Sequence, residues 1–210
     1  MKSYGFCLII FLIASDLFSQ NFEGTIVYEN SYKSKDPNVT DGQWTAMIGS
    51  RQTYAIKGGN YKTSMSGTLF QWQLYTNADN KIYMKGSHSP AVFWQDAREN
   101  PDVVQKAEIN KRVVTILGHL CDELILTGKV GLQKYYFSRK LKVDADLYQD
   151  HKFGNFSEYV SRAKSLPLKI VLETPQFIME SIATEITPQK LSDAEFQLPP
   201  NSQLQEKPGL

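Results

Sequence analysis

The densest run of chemistry-bearing side chains is His119-Leu120-Cys121-Asp122-Glu123. In a β-strand successive side chains alternate, so His119, Cys121 and Glu123 would share one face. An imidazole, a thiolate and a carboxylate together are three parts of a zinc site, and an imidazole beside a thiol can also activate a cysteine nucleophile. No fourth ligand with recognisable spacing accompanies them. The plainer alternative has Cys121 buried as a small apolar packing residue, with His119 and Glu123 at the rim.

Other chemistry is sparse. His88 sits in the turn-like Gly86-Ser87-His88-Ser89-Pro90, and His151 follows Asp150 in a polar stretch, so both read as solvated. Asp96, Glu99 and Asp102 are close in sequence but read as a solvated loop. The chain has no G-x-S-x-G elbow, H-E-x-x-H helix, phosphate loop or dinucleotide fingerprint. Aromatic residues carry more information. Trp44, Tyr54, Tyr61, Phe70, Trp72, Tyr75, Tyr83, Phe93 and Trp94 fall on successive predicted strands of the first half. A curved sheet with aromatic side chains on its concave face holds apolar ligands; the same residues would equally fill an ordinary core.

The elements that would position these residues are mostly strands. Short alternating stretches rich in Tyr, Phe, Thr, Val and Ile occupy 22–32, 43–48, 52–57, 61–66, 69–76, 81–85 and 91–95. More follow at 111–117, 120–126, 132–138, 168–173 and 177–187. Within 69–76, Phe70, Trp72 and Leu74 are expected on one face. Gly58-Gly59-Asn60 is a strong hairpin turn. The segment 144–164 differs, with two short helices divided at Gly154, the second near 156–163. Thr187-Pro188 is expected to open a helical turn reaching 191–195. The pattern predicts a mainly β protein: a single curved antiparallel sheet, a half-open barrel of about ten or eleven strands, with short helices closing the open side.

The 210 residues carry 23 basic and 22 acidic side chains, a net charge of +1 with both signs scattered. No dense basic face is present, so no nucleic-acid partner is expected. Lys2 precedes the nine-residue apolar run Phe6–Ala14, and polar residues return at Ser15 and Asp16. That order reads as a cleavable secretory signal over 1–20, and the run is too short to span a bilayer, which takes about 20 residues. Cys7 lies inside the run, so N-terminal acylation is not expected. The mature chain would retain Cys121 alone and form no internal disulfide. It is expected to be soluble rather than membrane-spanning, with a domain over 21–199 and a disordered tail over 200–210.

Several pieces in order carry a family resemblance: Phe22-x-Gly24-x-Ile26-x-Tyr28, Asn80-Lys81-Ile82-Tyr83, Ile116-Leu117-Gly118-His119-Leu120-Cys121, Leu166-Pro167-Leu168-Lys169-Ile170, and Ile186-Thr187-Pro188 through Phe196-Gln197-Leu198-Pro199. Over roughly 22–199 the chain resembles exported Gram-negative domains of unknown function whose fold is related to the LolA/LolB-like periplasmic lipoprotein carriers. The resemblance implies a concave apolar surface sheltering acyl chains, with 144–164 as its lid. No carrier-specific binding residue can be matched.

The expected function is a non-catalytic periplasmic or secreted binding protein for a lipid or other apolar molecule, without cofactor. Its expected lining is Trp44, Tyr54, Phe70, Trp72, Leu74, Tyr83 and Trp94. Two alternatives stand beside it: an envelope interaction or structural protein with a filled sheet, and a thiol or metal site at Cys121 and His119.

Overall fold

The computed structural model describes residues 21–207; the expected leader, residues 1–20, lies outside them. The chain opens with β1 (Gly24–Ser34), in which Ile26, Tyr28, Asn30 and Tyr32 are buried and Glu29 and Ser31 exposed, the period-two alternation of a half-buried strand. A helix, α1 (Asp41–Ile48), comes next where a strand over 43–48 was expected. The local reason is a capping box. The Gln43 N–H donates to Thr40 Oγ1 (3.2 Å), and the Gln43 side chain accepts from the Thr40 N–H (2.7 Å). Gly49, at φ 115°, stops the helix.

Five strands then follow as a meander: β2 (Arg51–Lys57), β3 (Asn60–Met65), β4 (Phe70–Thr76), β5 (Lys81–Gly86) and β6 (Val92–Asp96). Gly58 and Gly59 join β2 to β3 with positive φ at both positions, which the two-residue turn requires. A second meander comprises β7 (Lys106–Ile116), β8 (His119–Thr127) and β9 (Leu132–Lys142). Residues 145–163 carry 3-10 turns at Ala145–Tyr148 and Phe153–Asn155 and the helix α2 (Phe156–Ala163). The break falls at Gly154, with φ 62°. The second meander resumes with β10 (Ser165–Glu173) and β11 (Phe177–Pro188). β11 runs through Pro188, and the expected helical turn comes later, at Asp193–Phe196. The tail is not wholly irregular: Leu204–Glu206 form β12, parallel to β6. An extended tripeptide lying against a free sheet edge satisfies backbone groups that composition alone does not reveal.

All twelve strands belong to one sheet, ordered β12-β6-β5-β4-β3-β2-β1-β11-β10-β9-β8-β7. Every pairing except β12–β6 is antiparallel. The two meanders meet at β1 and β11, paired from Gly24↔Pro188 to Ser34↔Phe177.

This topology forces curvature. Laid flat, β6 and β7 would be ten strand spacings apart, about 48 Å. The connection from Asp96 to Lys106 reaches at most about 36 Å when fully extended. The sheet therefore bends until that link can cross its open side, and the link is anchored on the 144–163 segment. Lys152 and Phe153 both donate backbone N–H groups to the Ala97 carbonyl (2.7 and 2.8 Å), and Asn100 Nδ2 donates to Asn155 Oδ1 (2.7 Å). The result is a mainly β, half-open sheet, unclosed, with two short helices.

Two apolar clusters occupy its two sides. The inner one combines Ile26, Tyr28, Ile56, Tyr61, Tyr75 and Ile82 with Leu124, Phe137 and Leu168, beneath Tyr148, Tyr159 and Val160. The outer one, Ala55, Leu74, Tyr83 and Val92, lies under Leu191 and Phe196 of the C-terminal segment. Among the described residues no helix is long and apolar enough to cross a membrane.

Candidate binding pocket

Between the first meander and the start of α2, the concave side keeps a half-enclosed pocket of about 290 Å³. Its wall follows from strand register. Gln52 pairs with Met65, Tyr54 with Thr63, Thr63 with Gln73 and Gln73 with Met84, so these side chains form cross-strand rows on one face. Tyr61, Phe70, Trp72 and Phe156 complete the lining. No lining residue carries a formal charge.

Polar groups around the pocket are organised by a buried aromatic stack. The Tyr54 ring lies 5.2 Å from Tyr61, and Tyr61 lies 5.3 Å from Tyr75. Gln73 Nε2 donates to the Tyr61 hydroxyl (3.3 Å), which shares a 2.8 Å hydrogen bond with His151 Nε2. His151 is 1% exposed and packs 4.3 Å from the Tyr75 ring and 4.6 Å from Phe156. Burial lowers its pKa to about 3, so the imidazole is neutral at ordinary pH. The expectation of a solvated His151 is thus corrected: Tyr61 and Tyr75, far away in sequence, enclose it. Burial likewise raises the Tyr54 and Tyr61 phenols, keeping them protonated. The Tyr54 hydroxyl and His151 Nδ1 are buried without hydrogen-bond partners.

Of the seven expected lining residues, the structure brings three to this pocket. Tyr54 and Phe70 line it directly. Trp72 borders it while also packing on the outer cluster, where Lys62 Nζ lies 5.4 Å from its ring. The register of β4 against β5 shifts between Phe70 and Trp72. That bulge turns Phe70 away from the face it was expected to share with Trp72 and Leu74. Leu74, Tyr83 and Trp94 belong to the outer cluster, and Lys81 Nζ sits 3.8 Å over the Trp94 ring. Trp44 is on α1, where its Nε1 donates to Ser34 Oγ (3.1 Å) and its ring rests 4.6 Å from Phe177. Gln52, Thr63, Met65, Gln73 and Met84 were not anticipated. For Gln52, Thr63 and Met65 the available signal was their period-two spacing from Tyr54 and Tyr61, whereas Gln73 and Met84 are placed by cross-strand register.

His119, Cys121 and Glu123 do not converge. Cys121 is fully buried in the inner cluster, and its thiol donates to the His119 backbone carbonyl (3.3 Å) rather than to the imidazole. Burial pushes its pKa up. Burial also pushes the Glu123 carboxyl up, but hydrogen bonds from Asn110 (2.8 Å) and Tyr136 outweigh this and lower it overall. Among the described residues, no group of three His, Cys, Asp or Glu side chains is placed to hold a metal ion. Asp96 and Asp102 serve turns, accepting from the backbone N–H groups of Arg98 (2.8 Å) and Val130 (2.9 Å).

Fold and pocket together define a half-open β-sheet protein with an uncharged concave cavity. No protein-family model and no curated protein matches the chain. Among solved structures it is similar to PNGF-II in its P21 space group, with TM-score 0.47, 12% identity and 89% of this chain covered. The C2 form of PNGF-II gives TM-score 0.43, 13% identity and 87% coverage. The chain spans about a third of the length of those structures, 32% and 31%.

Proposed function

We propose that this chain is a non-catalytic binding protein that holds a lipid or other apolar small molecule on the concave side of its sheet. In this reading residues 1–20 export it to the periplasm or beyond, and its fold is related to the LolA/LolB-like carriers. The supporting observation is the uncharged pocket lined by Tyr54, Phe70, Trp72, Met65 and Met84. Burying each methylene there contributes about 0.8 kcal/mol, enough for a modest chain to bind without a specific anchor. The volume of about 290 Å³ lies just below the usual size of ligand sites, which run from about 300 to 1,000 Å³. A single slender group fits, with the rest of a longer molecule projecting from the mouth.

The test is native mass spectrometry of the protein purified gently from its own host's envelope, followed by extraction of what it carries. A defined apolar molecule, diminished in Phe70→Ala, is the expected result. Phe70 is 42% exposed, so the substitution leaves the core intact. Ligand-free protein that also binds no added apolar probe would overturn the proposal.

A second reading has support of its own. Most of the concave side is filled by tyrosines and α2, while edge strand β7 is exposed along almost its whole length. Ile109, Val113 and Val114 are exposed there, with Leu117 and Leu120 at the hairpin tip. An envelope interaction protein that pairs through this edge would use those residues.

A further inference from the structure

The pocket combines a uniformly uncharged wall with free hydrogen-bonding capacity, and this restricts what can enter it. Its polar lining groups are the Gln52 and Gln73 amides and the Thr63, Tyr54 and Tyr61 hydroxyls. Only Gln73 and Tyr61 are engaged in the hydrogen-bonded chain that ends at His151. The lysines beside the lining residues Tyr61, Thr63 and Met84 are turned to other tasks. Lys62 lies over the Trp72 ring, and Lys85 donates to the backbone carbonyls of Gly86 and Ser89. No carboxylate lines the wall. An ionised head group drawn inside would therefore lose its hydration and gain no counter-charge from the wall. A neutral carbonyl or hydroxyl would find amide and hydroxyl partners in Gln52 and Thr63.

Resting on the binding reading above, we infer that the pocket selects uncharged amphiphiles, molecules with an apolar chain and a neutral hydrogen-bonding head such as an alcohol, ester or ketone, over ionised acids and ammonium lipids of equal chain length. The wall's own titratable groups do not blur this selection. Tyr54 and Tyr61 stay protonated and His151 stays neutral from about pH 4 to 9.

The experiment measures binding of decanol, methyl decanoate, decanoate and decyltrimethylammonium to the full mature chain at pH 7.5. Decanol and methyl decanoate are expected to bind, and both ions to bind at least about tenfold more weakly. Decanoate affinity should rise about tenfold per pH unit as the pH falls towards its own carboxyl pKa of about 4.5, while decanol affinity stays flat. A Gln52→Lys variant places a cation in the wall at a half-buried position, and decanoate should then overtake decanol at pH 7.5. The pH series on the unmodified protein stands whether or not that variant folds. Decanoate binding as tightly as decanol at pH 7.5 would overturn the selection for neutral ligands while leaving the binding reading in place. Failure of all four probes to bind would overturn the binding reading, and the selection with it.

Discussion

At the scale of single residues, environment rather than residue type decides behaviour. Cys121 and His119 looked reactive as letters in a row, yet the thiol is buried and faces a carbonyl. A thiol reagent such as Ellman's reagent should leave Cys121 unmodified in native protein and modify it fully in denaturant. Fast labelling of the native protein would revive the thiol-site alternative. His151 shows the reverse error, since its polar neighbour Asp150 suggests solvent and only the folded partners Tyr61 and Tyr75 bury it. Its pKa is about 3 when folded against 6.5 for an ordinary histidine. Between those values the unfolded chain binds the proton and the native chain does not. The stability that neutral His151 permits is thus fully present above about pH 6.5 and declines as the pH falls, by up to about 1.4 kcal/mol per unit. Urea denaturation at pH 7 and pH 5 should show this loss, and His151→Gln should flatten it.

At the scale of elements, periodicity located most strands and the break at Gly154, because each rests on local pattern and turn chemistry. Alternation over 43–48 failed because Thr40 and Gln43 form a capping box, and a signal of two residues outweighed a weak six-residue pattern. Phe70 was misplaced for a different reason. A bulge changes the parity of everything beyond it and leaves no trace in composition. The seat of α1 also depends on a contact far along the chain. A Cβ at Gly67 would lie 2.3 Å from the Ile48 carbonyl carbon and 2.4 Å from the Met47 carbonyl oxygen. Gly67→Ala should therefore displace the helix terminus and cost about 1–3 kcal/mol, read as a lower urea midpoint. The pocket was legible only in part, since its rows arise from pairing register, and register is settled between strands rather than within them.

At the scale of the whole molecule, the outer strands have unequal fates. β6 is covered by the short β12, whereas among the described residues β7 has no outer neighbour and disrupts its own pairing through a register shift between Asn110 and Val114. Bulges and edge charges such as Lys111 and Arg112 are devices that restrain indiscriminate strand addition. Replacing Ile109 and Val113 by lysine should change folding stability by no more than about 0.5 kcal/mol each, because both side chains are exposed. If β7 is a docking edge, the same double variant should lose its partner in a pull-down from envelope extract while retaining its apolar ligand. Retention of the partner by this variant would rule out β7 as the docking edge.

The seam between β1 and β11 also sets the order in which the molecule can be completed. Asn30 and Ser181, hydrogen-bonded across it at 2.6 Å, are 151 residues apart. Each meander can assemble from neighbours in sequence, but joining them requires closing a loop of this length, a slow step for any sheet. A chain emerging N-terminus first, from a ribosome or through a pore, therefore carries β1 unpaired along one edge until residues 177–188 arrive. Maturation is timed by β11, and a truncation just before residue 177 would leave two half-sheets with no common centre.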